Sequence, residues 1–299
     1  MGDHRFSIEA RGPFDLARSI DFLAQWPAAR NPPDGAALRF AFCPDDDWRP
    51  VGVRLTQAGP RIEGEATGPG SAAPDLAAQV SRILSLDTDG TPLEAIARRD
   101  PRVAALVRAA PGLRPVCFWT PWEAACWAVL TQRSSMRTAA AIKERTALAY
   151  GDRIAVDGRE LTAFPSPRAV LEAPGLPGVN PVKLERIRGL ATAALDGVLT
   201  ARALRAVPAG EALATLLRLP GIGAFSAALI LIRGAGAPDV FTMSEPRLLA
   251  RIRSAYGLPA DATDDDYRAI AGQWRPLRSW VGFLIRAISE TSEDLSGPG

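Results

Sequence analysis

Five residues, Leu219-Pro220-Gly221-Ile222-Gly223, constrain this chain more than any other feature. A proline and two glycines do not continue a helix. The apolar run Leu213, Leu216, Leu217 lies just before them and a helical run from Phe225 to Ile232 just after, so the stretch reads as helix, tight hairpin, helix. Gly221 and Gly223 are free to take positive φ and bring bare backbone close to a ligand. The amides opening the second helix lie under the positive end of its dipole, an arrangement that suits a phosphate. Twenty residues past Phe225, Ser244-Glu245-Pro246 starts another helix with a carboxylate at its beginning. In isolation the five residues read equally well as an ordinary interhelical turn.

Composition removes several classes. The chain has 299 residues, 47% hydrophobic and 23% charged, the profile of a globular protein with room for two domains. No uninterrupted apolar run is long enough to span a membrane, and Met1-Gly2-Asp3-His4-Arg5 does not open a secretion leader, so the cytosol is the expected compartment. A net charge of +2 does not by itself argue for nucleic acid. Cys43, Cys117 and Cys126 lie far apart without a CxxC pair, and His4 is the only histidine; neither a zinc site nor an iron–sulfur cluster can be assembled from them.

The expected class is α+β. Phe6, Ile8 and Ala10 alternate, Leu16, Ile20 and Leu23 recur at helical spacing, and Leu38 to Phe42, Val51 to Leu55 and Arg61 to Ala66 read as three further strands. Leu76, Val80, Ile83 and Leu84 mark a second helix. Strand, helix, three strands, helix makes a small α/β domain over 1–88, with no polar cluster suited to catalysis. From Thr91 onward strand signals nearly vanish. Thr120-Pro121-Trp122-Glu123 is a helix start with a capping threonine and a glutamate three residues on. That helix buries one face, Trp122, Cys126, Val129 and Leu130, and ends in the polar loop Thr131-Gln132-Arg133-Ser134-Ser135. Helices then follow one another as far as Ser289, and the tail from Glu290, rich in Ser, Glu, Gly and Pro, is expected to fray.

A backbone-gripping hairpin followed at this distance by an acid on a helix N-terminus resembles the helix-hairpin-helix superfamily of DNA base-excision glycosylases. The closer likeness is to its bacterial 3-methyladenine DNA glycosylase II group. It spans nearly the whole chain: the α/β domain, the Trp122 to Gln132 helix with its loop, Phe164-Pro165, the hairpin, Asp239-Val240-Phe241, and Trp274-Arg275-Pro276-Leu277-Arg278-Ser279. The resemblance implies a helical glycosylase region over 89–299, split into a hairpin-bearing subdomain (120–237) and a second subdomain (89–119 plus 238–299), with a cleft between them. It also implies a monomer acting on double-stranded DNA that carries a damaged, alkylated base.

Residue by residue, the resemblance makes Glu245 the catalytic acid, at a position where the family carries aspartate. Phe225, where the superfamily's lyase branch has its Schiff-base lysine, implies monofunctional hydrolysis and a wall of the base pocket. Leu229, Trp280 and Arg286 fall at or near further pocket positions; Leu229 and Arg286 replace a tyrosine and a tryptophan. Gln132 matches a minor-groove contact and Arg133 the wedge that fills the gap left by an everted base. Gly221, Ile222 and Gly223 would hold a phosphate through their amides. The carbonyls of Leu217, Leu219 and Ile222 would hold a monovalent cation, with no zinc, iron–sulfur or redox cofactor. Arg286 reads as a group that repels a cationic base and favours a neutral one, as a partner for Glu245, or as a side chain directed to solvent. The rival readings of the whole are a weakly active or non-catalytic damaged-DNA-binding protein and a glycosylase for a non-alkylated lesion.

Overall fold

The computed structural model describes residues 4–29, 31, 33 and 35–294. The opening residues read above for a leader, and the tail expected to fray, lie partly outside that range. The first unit runs β1 (His4–Glu9), α1 (Leu16–Gln25), β2 (Leu38–Phe42), β3 (Val51–Ala58), β4 (Arg61–Thr67) and α2 (Leu76–Ile83), the order expected from the alternation. The four strands form one antiparallel sheet in the order β1-β4-β3-β2. In β4 the period is strict, with Ile62, Gly64 and Ala66 buried and Arg61 and Glu63 exposed. The inner face packs Phe42, Val53 and Ile62 against Leu16 and Leu23 of α1 and Val80 of α2. Each such fully buried side chain contributes about 1.5–3 kcal/mol.

The helical region follows: α3 (Pro92–Arg99), α4 (Pro101–Ala109), α5 (Pro121–Leu130), α6 (Met136–Tyr150), the hairpin β5 (Arg153–Val156) and β6 (Arg159–Thr162), α7 (Pro167–Glu172), α8 (Pro181–Leu195), α9 (Ala201–Arg205), α10 (Ala209–Leu217), α11 (Ala224–Leu229), α12 (Pro246–Tyr256), α13 (Asp264–Gly272) and α14 (Arg278–Asp294). Among the described residues no helix is long and apolar enough to cross a membrane.

Two expectations are corrected here. Helix α5 does not bury one face: all ten of its residues are buried, because it runs through the middle of the largest core, in contact with α6, α8 and α11. Thr120 accepts the Glu123 amide at 3.1 Å as a cap should, but the Glu123 carboxylate lies in the core and pairs with Lys143 on α6 at 2.9 Å. The second correction is the strand pair β5–β6, which the run of helical signals concealed. It closes through Asp157 and Gly158, both at positive φ, the chemistry of a two-residue hairpin turn. The pair packs on the N-terminal sheet, with Ile154 and Val156 filling the space a side chain on Gly52 of β3 would need. Arg39 and Arg54 of the sheet both reach Asp157.

Two buried arginines join the first unit to the helices. Arg114, 1% exposed, donates to the carbonyls of Pro13, Ser85 and Thr88 at 3.0, 3.0 and 3.2 Å, and also to those of Arg11 and Gly12. Burial in this carbonyl nest lowers its pKa to about 10, with Asp89 and Asp87 opposing the shift. Arg82 of α2 donates to Phe118, Trp119 and Gly234 carbonyls. Gly234 ends the helical run that begins in the glycine hairpin, so the N-terminal unit supplies a partner to a helix end that would otherwise lack one.

Candidate active site

The hairpin follows from its turn chemistry. Helix α10 ends at Leu217, and the Ile222 amide returns to the Leu219 carbonyl at 3.2 Å. Pro220 holds the second position of this turn and Gly221, at φ +76°, the third, the pattern of a type II turn. Gly223 corrects the sequence reading: it is extended (φ −98°, ψ −178°) and caps α11 without left-handed backbone. A side chain there would meet nothing within 4 Å, so the amides opening α11 face open space. Helix α11 runs directly into a π-turn, Ile230–Gly234, closed by the Ala235 amide on the Ile230 carbonyl at 2.8 Å.

The polar loop after α5 is fastened to this hairpin. The Gln132 carboxamide donates to the Gly221 carbonyl at 2.7 Å and accepts from Arg186 of α8 at 2.6 Å, so both of its ends are engaged within the protein. Lys183, one turn earlier on α8, donates to the Leu130 carbonyl and the Ser134 hydroxyl at 2.7 and 3.0 Å. Between these anchors Arg133 stands exposed with φ +51°, a backbone state that a bulky residue adopts only where its surroundings impose it.

Glu245 is the N-cap residue of α12, ahead of Pro246, and its side chain makes no capping bond. The segment leading to it is clamped to the start of α14. Asp239 takes Nε and Nη2 of Arg278 at 2.7 and 3.1 Å and the Arg278 amide at 3.2 Å, which holds its carboxyl below the usual carboxylate range. Ser279 accepts the Val240 amide at 2.9 Å and donates back to the Val240 carbonyl at 3.1 Å. The two sequence motifs Asp239-Val240-Phe241 and Arg278-Ser279 are therefore one structural joint. Farther along α14, Arg286 meets Glu245 at 3.3 Å, with side chains 21% and 32% exposed. The carboxylate is neither sealed in hydrocarbon nor fully solvated.

Around this pair the expected pocket residues separate. Phe225 is 50% exposed, and Leu229, four residues on and half-buried, shares its helical face. Trp280 does not join them. It is 2% exposed, six residues before Arg286 and so about 120° round the helix. Its ring lies under the Arg114 guanidinium at 5.2 Å, beside a cavity of about 20 Å³ that is far too small for a base. Phe283, one turn from Arg286, belongs to the same face of α14. Its ring contacts Phe22 of α1 at 5.1 Å, and the Arg233 guanidinium of the π-turn lies 4.9 Å from Phe283, 5.4 Å from Phe22 and 4.3 Å from Trp26. Arg233 is held by the Val116 carbonyl at 2.9 Å. Sequence reading missed this group: Phe22 and Trp26 carry the signature of a core helix, and nothing local points them toward α14.

No family model matches the chain. It is 31% identical over 242 residues to DNA-3-methyladenine glycosylase 2 of Escherichia coli K12, covering 73% of this chain and 80% of that protein. The chain belongs to the DNA-3-methyladenine glycosylase II family. It is 26% identical over 215 residues to the DNA-3-methyladenine glycosylase of Bacillus subtilis 168, 71% of each chain. Its fold matches the 3-methyladenine DNA-glycosylase of Archaeoglobus fulgidus with a TM-score of 0.77 at 20% identity, over 94% of this chain and 96% of that one.

As a member of this family the chain is a DNA N-glycosylase of base excision repair, and the reading of it as a non-catalytic binder is not favoured. Its reaction breaks the bond between a base and deoxyribose through a sugar cation, which a fixed carboxylate stabilises. The carboxylate expected in that role, Glu245, is ion-paired with Arg286.

Proposed function

We propose that the protein everts a damaged base from duplex DNA and hydrolyses its N-glycosidic bond with Glu245 as the charge-stabilising and water-orienting group. The observation that carries this is the placement of Glu245: a carboxylate at the start of α12, on a segment held by Asp239, Arg278 and Ser279, paired with Arg286 and still partly open to solvent. A charge held in such a partly dry position acts on a developing cation more strongly than it would in water. The extra methylene of glutamate relative to aspartate is taken up by the non-helical cap position, where the backbone is not tied into the helix (φ −114°, ψ 89°).

The other roles follow the same geometry. The amides of Gly221, Ile222 and Gly223 grip a phosphate, a contact that positions the duplex without reading sequence. Arg133 enters the gap left by the base, and Gln132 reaches the minor groove once released from its internal partners. Phe225 and Leu229 border the everted base. With Phe225 in place of an amine nucleophile the reaction ends at an abasic site. A monovalent cation on the carbonyls of Leu217, Leu219 and Ile222 would tie the hairpin to the DNA backbone; the Leu219 oxygen takes one amide bond in the turn and keeps a second lone pair for it. The protein works as a monomer, in the cytoplasm, and the relatives' names point to alkylated purines as the lesion class.

The test is single-turnover cleavage of duplexes carrying single modified bases. Glu245→Gln lowers the rate by on the order of 100-fold or more while binding stays within a few-fold, as expected for loss of transition-state charge stabilisation. Equal rates for the two proteins remove Glu245 from the mechanism.

A further inference from the structure

The base pocket of an enzyme that excises cationic lesions is best lined with neutral, electron-rich faces. Here the side chain beside Glu245 is instead a guanidinium, that of Arg286. The pair closes at 3.3 Å on the carboxylate the reaction needs. While that pair is closed, the guanidinium offsets much of the negative charge available to stabilise a sugar cation.

We propose that Arg286 is the specificity-determining residue of this glycosylase. It holds Glu245 in a neutralised resting pair and is drawn off it by a base that presents hydrogen-bond acceptors, so that neutral lesions with a carbonyl or ring-nitrogen acceptor edge are excised in preference to cationic ones. This rests on the glycosylase reading above and names its substrate class. A neutral base gives Arg286 a replacement partner, which frees the Glu245 carboxylate at the moment a cation develops. When the glycosidic bond breaks, its electron pair stays on the base nitrogen; from a neutral lesion the departing base is an anion, and an N–H of Arg286 stabilises it. Water adds its hydroxyl to the anomeric carbon, and its proton ends on the released base. A cationic base leaves already neutral, gives Arg286 no developing anion to stabilise, and is repelled by its guanidinium group.

The experiment compares single-turnover rates on matched duplexes holding hypoxanthine or 1,N6-ethenoadenine, both neutral, with a duplex holding cationic 7-methylguanine. Wild type is expected to prefer the neutral bases by about tenfold or more. Arg286→Leu should lower their cleavage by on the order of 100-fold, the usual effect of removing one preorganised donor, and speed that of 7-methylguanine, so that the preference inverts. Arg286→Lys, which keeps the charge but loses the planar fork, should restore part of the neutral-base rate. Thermal melts of the variants separate misfolding from altered selectivity, since loss of structure lowers all three rates together. Faster cleavage of 7-methylguanine by wild type, or an equal loss on all substrates in folded Arg286→Leu, overturns the proposal while leaving the role of Glu245 intact. No cleavage of any base by wild type overturns the glycosylase reading itself.

Discussion

A single backbone angle governs the hairpin. At φ +76° Gly221 occupies a region where other residues are strained, and a Cβ there would come within 2.5 Å of the Arg186 side chain that steadies Gln132. Gly221→Ala is therefore expected to cost about 1–2 kcal/mol in a urea melt. It should also weaken duplex affinity, because the carbonyl that Gln132 holds and the amides proposed to grip a phosphate turn together. Gly223→Ala is the control. Its backbone is extended and its surroundings open, so the same measurements should move little. Two glycines that look equivalent in the sequence thus differ in what each one does.

Among the elements, α5 is the axis, and its burial rests on the Glu123–Lys143 pair. Glu123 is 2% exposed, and Lys143 also donates to the Ala28 carbonyl at 2.7 Å and lies over the rings of Phe118 and Phe164. Removing one partner leaves an uncompensated charge in the core. Lys143→Met is expected to lose about 3–5 kcal/mol, and the double variant Lys143→Met, Glu123→Leu to recover most of it, because a volume-matched apolar pair avoids desolvating either ion. Chemical denaturation of the two single variants and the double measures the coupling directly. The same helix shows where a pattern misleads: Thr120 to Glu123 has the residues of a capping box, but the glutamate turns inward because a lysine on the next helix waits there.

For the whole molecule, stability should fall as pH rises through mildly acid values, and one residue accounts for much of it. Asp45 is buried between the sheet and α9, where its carboxylate accepts the Ala201 amide at 2.9 Å. Burial pushes its pKa up from 3.8 to about 6, against the pull of Arg82 and the Ala201 amide. The folded protein then keeps a proton that the unfolded chain has already released. The stabilisation is complete below about pH 4 and is lost as pH climbs toward about 6, a change of about 3 kcal/mol for a shift of this size. Asp45→Asn should remove that dependence, so melts of the two proteins from pH 4 to 7 should diverge in slope over this window.

Taken by itself the sequence determined the hairpin, the helix that begins at Pro246 with an acid as its cap, the capping threonine of α5 and the order of elements in the first unit. All of these rest on turn chemistry and on periods of two or 3.6 residues, which act between near neighbours. Only the tertiary structure decided that Arg286 closes on Glu245, that Trp280 belongs to the core under Arg114, that Gln132 is held by Gly221 and Arg186, and that Phe22, Trp26 and Arg233 gather at Phe283. Each of these joins side chains from elements distant along the chain. A guanidinium at position 286 follows the same local rules whether it faces solvent, a base or a carboxylate, and the packing of α14 against the start of α12 selects its partner.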